Sequence, residues 1–307
     1  MKKNIFCIIL ISLFSFNLSA VHYLISLPEL STASSRGAGG AVSAKKAEVN
    51  AVFANPACVY GIKNFQGIFT YNHNSIIKSS STLTTLIIPI PDDGSFALSY
   101  SYDRQWEVTD IPYGSSDLSR YNQIVSLAYG FSISDNIKLG AAARYINSAI
   151  KENNTGNMAF DAGAVFGWDS NLTGSISFLD FGGQVSYTGT GSLLGDEVLA
   201  SRFGVGFNYD SDWNPAHRMS FSADGFYHMF ESKYTVALGV TYNFQELITL
   251  RIGNKVDVTG SYLFSWGAGF NYDFYGMKAR LDYAYMGKLT GPGDKGESNL
   301  ISISMYF

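Results

Sequence analysis

From Phe65 onward, apolar side chains alternate with small or polar ones along most of the chain. The pattern is clear between Tyr234 and Phe244, where Tyr, Val, Leu, Val, Tyr and Phe are separated by Thr, Ala, Gly, Thr and Asn. A period of two places successive side chains on opposite faces of a β-strand. The pattern therefore predicts strands with one apolar face and one face of small or polar side chains.

The alternating stretches number about fourteen, and single-chain bacterial membrane barrels have an even number of strands. The predicted strands are residues 65–73, 82–89, 94–103, 121–133, 136–148, 158–169, 174–188, 201–210, 217–229, 233–244, 247–254, 263–274, 277–287 and 298–307. Links after even-numbered strands are mostly short and links after odd-numbered strands mostly long, as at the two ends of a membrane barrel. Pro89 and Pro91 remove backbone donors from the second strand, so we expect an interruption of the wall there.

A soluble β-sandwich also alternates, but three features favour a barrel in a membrane. Aromatic residues gather at strand ends, where an interfacial girdle lies. The opposite face carries charges that suit a wet lumen and would be costly in a dry core. These charged residues are Lys138, Arg144, Asp161, Asp224, Arg280 and Asp282. The final alternating strand ends on Phe307, similar to the signal that the barrel-assembly machinery recognises. The sequence thus predicts an all-β, transmembrane, antiparallel barrel.

The composition agrees with strands that face lipid on one side only. Charged residues make up 15% of the chain, against about 25% in ordinary soluble domains, and aromatic residues another 15%. The mean hydropathy is only +0.05 because half of the side chains would face water. A net charge of −4 argues against a nucleic-acid partner, which would require a basic face.

The N-terminus has the pattern of an export signal. Lys2 and Lys3 precede an apolar run that ends near Phe16, and Leu18-Ser19-Ala20 suits a signal peptidase. The apolar run is too short to anchor the chain in a membrane. We expect residues 1–20 to be a signal peptide.

Residues 21–64 do not alternate and are rich in Gly and Ala. A barrel of about fourteen strands is too wide for its own side chains to fill. We therefore expect residues 21–64 to fold inside the lumen as a plug, and residues 65–307 to form the wall. Glycines let the plug backbone approach the wall, and a proline fixes the extended geometry before it. The residues expected to shape and gate the plug are Gly37, Gly39, Gly40, Asn55, Pro56 and Ala57.

Gly37-Ala38-Gly39-Gly40-Ala41, followed by Phe53-Ala54-Asn55-Pro56-Ala57, resembles the N-terminal plug, or hatch, of the FadL family of outer-membrane transporters. Arg251-Ile252-Gly253 and Leu281-Asp282-Tyr283-Ala284-Tyr285 are similar to the PorV/PorQ-like branch of that family and its spirochaetal members. Lys45-Lys46-Ala47-Glu48 departs from the acidic pair usual in that branch, so the resemblance carries over no contact made by those acids.

The resemblance implies an outer-membrane channel that takes up hydrophobic molecules, long-chain fatty acids above all. Outer loops would capture the molecule, the plug would gate it, and it would leave sideways between strands into the membrane lipid. The loop residues expected to capture it are Trp106, Ile111, Leu193 and Leu194. Two alternatives stay open at this point: a PorV-like secretion accessory or surface scaffold that moves no lipid, and a general porin.

The sequence contains no recognisable catalytic or metal-binding pattern. His217 and His228 fall near opposite ends of one predicted strand, too far apart to share a metal. Cys58 is the one cysteine after residue 20, which excludes a disulfide framework, and we interpret it as a small buried side chain. We expect no enzymatic activity and no metal or cofactor. We also expect a monomer in the outer membrane.

Overall fold

The structure is a computed structural model. It describes residues 23–25, 30–75, 78–91, 94–106, 120–150, 153–167, 171–185, 197–214, 216–256, 260–274, 277–290 and 297–307. The predicted signal peptide lies outside the described residues, as do Ile111, Leu193 and Leu194.

Fourteen strands form a closed antiparallel barrel. They are β1 (Gln66–Asn74), β2 (Ser79–Ile90), β3 (Gly94–Gln105), β4 (Arg120–Ser134), β5 (Ile137–Ile150), β6 (Asn153–Gly167), β7 (Leu172–Gly182), β8 (Arg202–Asn214), β9 (His217–His228), β10 (Lys233–Phe244), β11 (Ile248–Val256), β12 (Tyr262–Phe274), β13 (Met277–Thr290) and β14 (Ser298–Tyr306). Each strand pairs with the next in sequence, and β14 pairs with β1 to close the wall. The predicted all-β barrel and its strand number are confirmed.

Burial alternates along the strands and separates an outer from an inner face. On β10, Tyr234, Val236 and Leu238 are 68%, 47% and 54% exposed, whereas Thr235 and Ala237 between them are buried. Large apolar side chains cover the outside of the wall, as required of strands that contact hydrocarbon. The three longest links, after β3, β7 and β13, lie at the same end of the barrel, which we call the outer end.

The wall is not interrupted near Pro89, and that prediction is wrong. Strand β2 continues to Ile90 and pairs there with Gly94 of β3. Its pairing with β1 has already ended, because the last pair on that side joins Ile87 to Gln66. Pro89 thus lies at the margin of the sheet, where a missing backbone donor is tolerated.

Strand β7 ends at Gly182, six residues before the predicted end at 188. Its register with β6 shifts between Phe160 and Ala162, and Asp180 has a φ of 60°. This β-bulge bends the strand, and pairing with β8 reaches only as far as Leu179, opposite Arg202.

Beyond the bulge, the chain forms a small sheet that the sequence did not predict. Gln184–Val185 pairs with Glu197–Leu199, which also pairs in parallel with Tyr23–Ile25. The N-terminal segment is therefore linked to the connection between β7 and β8.

Residues 30–64 pack against the inner face of the barrel and form what we call the plug. The plug contains one short helix, α1 (Ala33–Gly37), and two 3-10 turns, Val49–Ala51 and Pro56–Val59. Helix α1 contacts β12 and β13, and the second turn contacts β4, β5 and β6 on the other side. None of the described helices is long and apolar enough to cross a membrane.

Candidate functional site

The plug meets the wall through backbone contacts that glycine permits. Gly39 and Gly40 have φ values of 71° and 84°, in the left-handed region. A Cβ at Gly39 would lie 2.8 Å from the carbonyl oxygen of Leu238, and one at Gly37 would lie 3.1 Å from Cα of Gly267. The plug backbone thus touches the wall with no room for side chains between them.

Asn55 is fully buried and connects the two halves of the plug to the wall. Its amide nitrogen donates to the carbonyl oxygens of Ser43, at 3.1 Å, and of Ala164 on β6, at 3.0 Å. Its oxygen accepts from the backbone nitrogen of Ala57 at 3.0 Å and so begins the turn that contains Pro56. Both ends of the amide are satisfied, and this side chain links the turn to the wall through hydrogen bonds.

Seven inward-facing glycines of the wall complete the contact, and none of them is among the predicted site residues. A Cβ at any of them would overlap or closely approach plug atoms. They are Gly130, Gly140, Gly163, Gly206, Gly239, Gly253 and Gly267, which we call the glycine ring. The signal for them was present, since each occupies an inward position in an alternating strand.

Asp224 on β9 links the wall to the plug through three hydrogen bonds. Its carboxylate accepts from the backbone nitrogens of Val42, at 2.8 Å, and Ser43, at 2.9 Å, and from the Ser43 hydroxyl at 2.8 Å. Hydrogen bonds to an ionised group contribute more than neutral ones. At α1, the backbone nitrogen of Ala33 donates to Ser302 Oγ of β14 at 2.8 Å.

Four charged side chains form a buried cluster on neighbouring strands β5 to β8. Arg144 binds Asp161 through Nε at 2.7 Å and Asp180 through Nη1 at 2.8 Å. Arg202 binds the other oxygen of Asp180 at 2.9 Å. Arg144 and Asp161 therefore face inward as predicted, and their charges are balanced by neighbours rather than by water.

Buried apolar side chains line the inner face of the wall toward its outer end, and some of them pack against the plug. Nine strands each place one buried apolar side chain at this level. The nine are Leu83, Ile124, Ile146, Ala159, Leu179, Phe226, Leu263, Met286 and Leu300, which we call the apolar ring. Leu30 of the plug and Leu199 pack against the part formed by Ile124, Ile146 and Ala159. All nine side chains are at most 8% exposed, so a ligand would contact them only after the groups that cover them move.

Of the residues predicted to capture a ligand, Trp106 alone is described. It follows β3 at the outer end, is 43% exposed, and lies 5.4 Å from the guanidinium carbon of Arg104. Its position agrees with the predicted outer loop, and its role in capture stays a prediction.

Within the described part of the chain, no group of three His, Cys, Asp or Glu side chains could hold a metal ion. His217 contacts Tyr242 at one end of β9, and His228 contacts Thr235 at the other. Cys58 is buried in the plug, with Sγ 3.2 Å from the carbonyl oxygen of Ser43. Burial raises the pKa of its thiol, and the negative charges of Asp224 and Glu48 raise it further, so the thiol is unreactive while buried.

A closed wall of fourteen strands with an apolar exterior and a segment packed inside defines a β-barrel of the outer-membrane type. The fold is similar to that of a Pseudomonas aeruginosa FadL homologue, at 14% identity and a TM-score of 0.61 over 92% of this chain and 98% of that chain. It is also similar to the Pseudomonas putida toluene transporter TodX, at 10% identity and a TM-score of 0.59 over 92% and 98%. The CymD monoaromatic hydrocarbon channel matches at 9% identity and a TM-score of 0.60 over 93% and 98%. The similarity to these proteins is one of fold, and the fold is that of the FadL homologue.

The sequence matches no family model and no curated protein.

Proposed function

We propose that this protein is an outer-membrane channel for hydrophobic small molecules, with long-chain fatty acids as its cargo. The apolar ring is the observation that carries the proposal. An apolar molecule gains nothing from a lumen lined by polar groups, but apolar burial stabilises it by about 25 cal/mol per Å² removed from water. The buried aliphatic and aromatic side chains of the apolar ring would provide such a surface once the groups that cover them move.

Two of the proteins with a similar fold are a toluene transporter and a monoaromatic hydrocarbon channel. Both names describe apolar cargo, which supports the general class of ligand proposed for this chain. The choice of fatty acids over aromatic hydrocarbons rests on the resemblance of the plug sequence to the FadL family, with the PorV/PorQ-like branch as the closer relation.

The proposed path has three stages. Apolar loop residues such as Trp106 capture the molecule, the apolar ring holds it, and movement of the plug around Asn55 admits it to the lumen. Release is sideways into the membrane. The seam between β7 and β8 is the best place for it, because their ladder ends at Leu179 and Arg202, short of the outer end of β7.

Uptake of labelled oleate into cells that express the protein tests the proposal. Replacing Ile124 with Thr puts a hydroxyl into the apolar ring and should reduce uptake several-fold. Val125→Thr is the matched control, because the same chemical change falls on the adjacent, lipid-facing position, which is 45% exposed. Equal uptake by both variants would contradict a role for the apolar ring.

The alternative proposal is a PorV-like secretion accessory or surface scaffold. The many contacts between plug and wall favour this alternative. A plug fixed by hydrogen bonds to Asp224 and from Asn55, and by close contacts with the glycine ring, is suited to a permanently closed barrel. Cells that express the protein but take up no more oleate than cells without it would support this alternative. A monomeric state, recognition of Phe307 by the barrel-assembly machinery and the lack of enzymatic activity stay predictions.

A further inference from the structure

The chain that leads into β8 enters the lumen before it joins the wall. Leu199 is 1% exposed and packs against Ile124, Ile146 and Ala159, three members of the apolar ring. These three side chains come from the inner faces of β4, β5 and β6. We call residues 199–201 the strap, because they cross from the lumen to the start of β8.

Leu199 of the strap pairs with Ile25 in the small sheet, and on the side of β7 the strap is held by one residue, Asp180. The Ser201 hydroxyl donates to the backbone carbonyl oxygen of Asp180 at 3.0 Å, and Arg202 Nε donates to the Asp180 carboxylate at 2.9 Å. On its other side, the backbone nitrogen of Met229 donates to the carbonyl oxygen of Ser201 at 3.0 Å. The β7–β8 ladder starts only at Arg202, so side chains rather than a backbone ladder hold the strap to β7.

Asp180 is itself fixed by the charged cluster. Arg144 donates to the Asp180 carboxylate at 2.8 Å. The backbone nitrogen of Asp180 donates to the Asp161 carboxylate at 2.7 Å. In this cluster the side chains of Arg144, Asp161 and Asp180 are at most 6% exposed, whereas that of Arg202 is 23% exposed. Arg202 is thus the most exposed member of the cluster, and it directly follows the strap in the chain.

We propose that Leu199 is an autoinhibitory occupant of the apolar ring, held there by Arg202 and Asp180, and that a hydrophobic ligand binds by displacing it. The inference rests on the proposed function, because it names what regulates the same site. A long acyl chain carries more apolar carbon than one leucine side chain, so it competes successfully for the same surface. Breaking the link between Arg202 and Asp180 frees the strap even without ligand.

Thiol labelling measures the position of the strap directly. The full chain carries Leu199→Cys together with Cys58→Ala, so that position 199 holds the one thiol after residue 20. With the protein in lipid nanodiscs, oleate should speed the reaction of this thiol with a water-soluble maleimide. Leu179→Cys in the same background is the control, because Leu179 is equally buried but belongs to the paired part of β7. A rise at position 179 as large as that at 199 would mean general loosening and would overturn the proposal.

Arg202→Gln tests the restraint without any ligand. A hydrogen bond to a charged group is strong enough that its loss should speed labelling at position 199 by about tenfold or more. Arg218→Gln is the control, since the ion pair of Arg218 with Glu246 is exposed and lies at the other end of the barrel. Labelling that is no faster in Arg202→Gln than in Arg218→Gln would overturn the restraint.

Mass spectrometry of the intact protein with oleate separates the two proposals. Bound oleate without faster labelling at position 199 would overturn displacement and leave the channel proposal standing. Absence of bound oleate together with fast labelling in Arg202→Gln would support the strap as a restrained element and contradict fatty acid as the ligand.

Discussion

Asp224 in the wall binds Ser43 in the plug twice, through the Ser43 backbone nitrogen at 2.9 Å and through its hydroxyl at 2.8 Å. A third hydrogen bond to the same carboxylate comes from the backbone nitrogen of Val42 at 2.8 Å. All these groups are donors directed at one ionised acceptor. At this point the plug is therefore held by hydrogen bonds to a charged group, whereas the glycine ring contacts it by close packing.

Asp224→Asn should loosen the plug. An amide offers one acceptor oxygen, and its nitrogen would face donors, so at least one strong hydrogen bond is lost. Such a bond contributes about 1.5–3 kcal/mol, which corresponds to roughly tenfold or more in the open population. The alkylation rate of Cys58, buried beside Ser43, reports the opening. Asp210→Asn, at an exposed position on β8, should leave that rate unchanged. Equal rates in both variants would show that the carboxylate does not hold the plug.

Gly140→Ala should displace the turn that contains Pro56 and Ala57. The added Cβ would overlap the backbone atoms of both residues, and overpacking of this kind costs about 1–3 kcal/mol. We expect greater ion conductance in planar bilayers and a lower unfolding temperature. Gly225→Ala is the control, because a Cβ there meets nothing within 4 Å. The glycine ring would lose its assigned role if both variants conducted alike.

Replacing Asn55 should distinguish its two functions. Asn55→Asp keeps the acceptor for Ala57 but turns a second oxygen toward the carbonyls of Ser43 and Ala164. Asn55→Ala removes the donor to those carbonyls and the acceptor for Ala57 without adding repulsion, at a cost of about 1–3 kcal/mol. Asn55→Asp should therefore show the more frequent channel openings in single-channel recordings. More frequent openings in Asn55→Ala would mean that losing the acceptor for Ala57 matters more than repulsion at the Ser43 and Ala164 carbonyls.

Deletion of residues 21–60 should open the lumen to ions. Without this segment, the polar groups of the inner wall line a continuous aqueous pore, as in porins. We expect a large, steady conductance, with the folded barrel verified by its heat-dependent shift on a gel. An unchanged conductance in a folded deletion variant would show that the plug does not close the lumen.

Alternation was sufficient to predict the wall because each strand has a different solvent on each face. The error at Pro89 has a local cause: the sequence shows a missing donor but not that the partner strand has already ended there. The early end of β7 follows the bulge at Asp180, which has a left-handed φ and whose carboxylate binds Arg144 and Arg202 from two other strands. Hydrogen bonds between residues that are distant in sequence cannot be inferred from the local alternation of apolar and polar side chains.

The site was predicted only in part for a similar reason. The plug glycines stand out because they cluster in sequence, whereas the glycine ring is spread over seven strands and becomes visible only after closure. Leu199 belongs to no alternating stretch, and nothing near it in sequence shows that it packs against Ile124 and Ile146. Sequence patterns therefore predict an N-terminal segment inside the barrel but not the wall groups that contact residues 30–64, nor the leucine at position 199.

Ser302 joins three parts of the molecule at the junction of the last and first strands. Its hydroxyl accepts from the backbone of Ala33 and pairs with the Thr70 hydroxyl of β1 at 2.8 Å. The plug precedes β1 in the chain, yet it ends up enclosed by a wall whose final joint it touches. The backbone nitrogen of Ala33 thus donates to the same side chain that links the two edge strands, so the plug contributes to the stability of the joint that closes the wall.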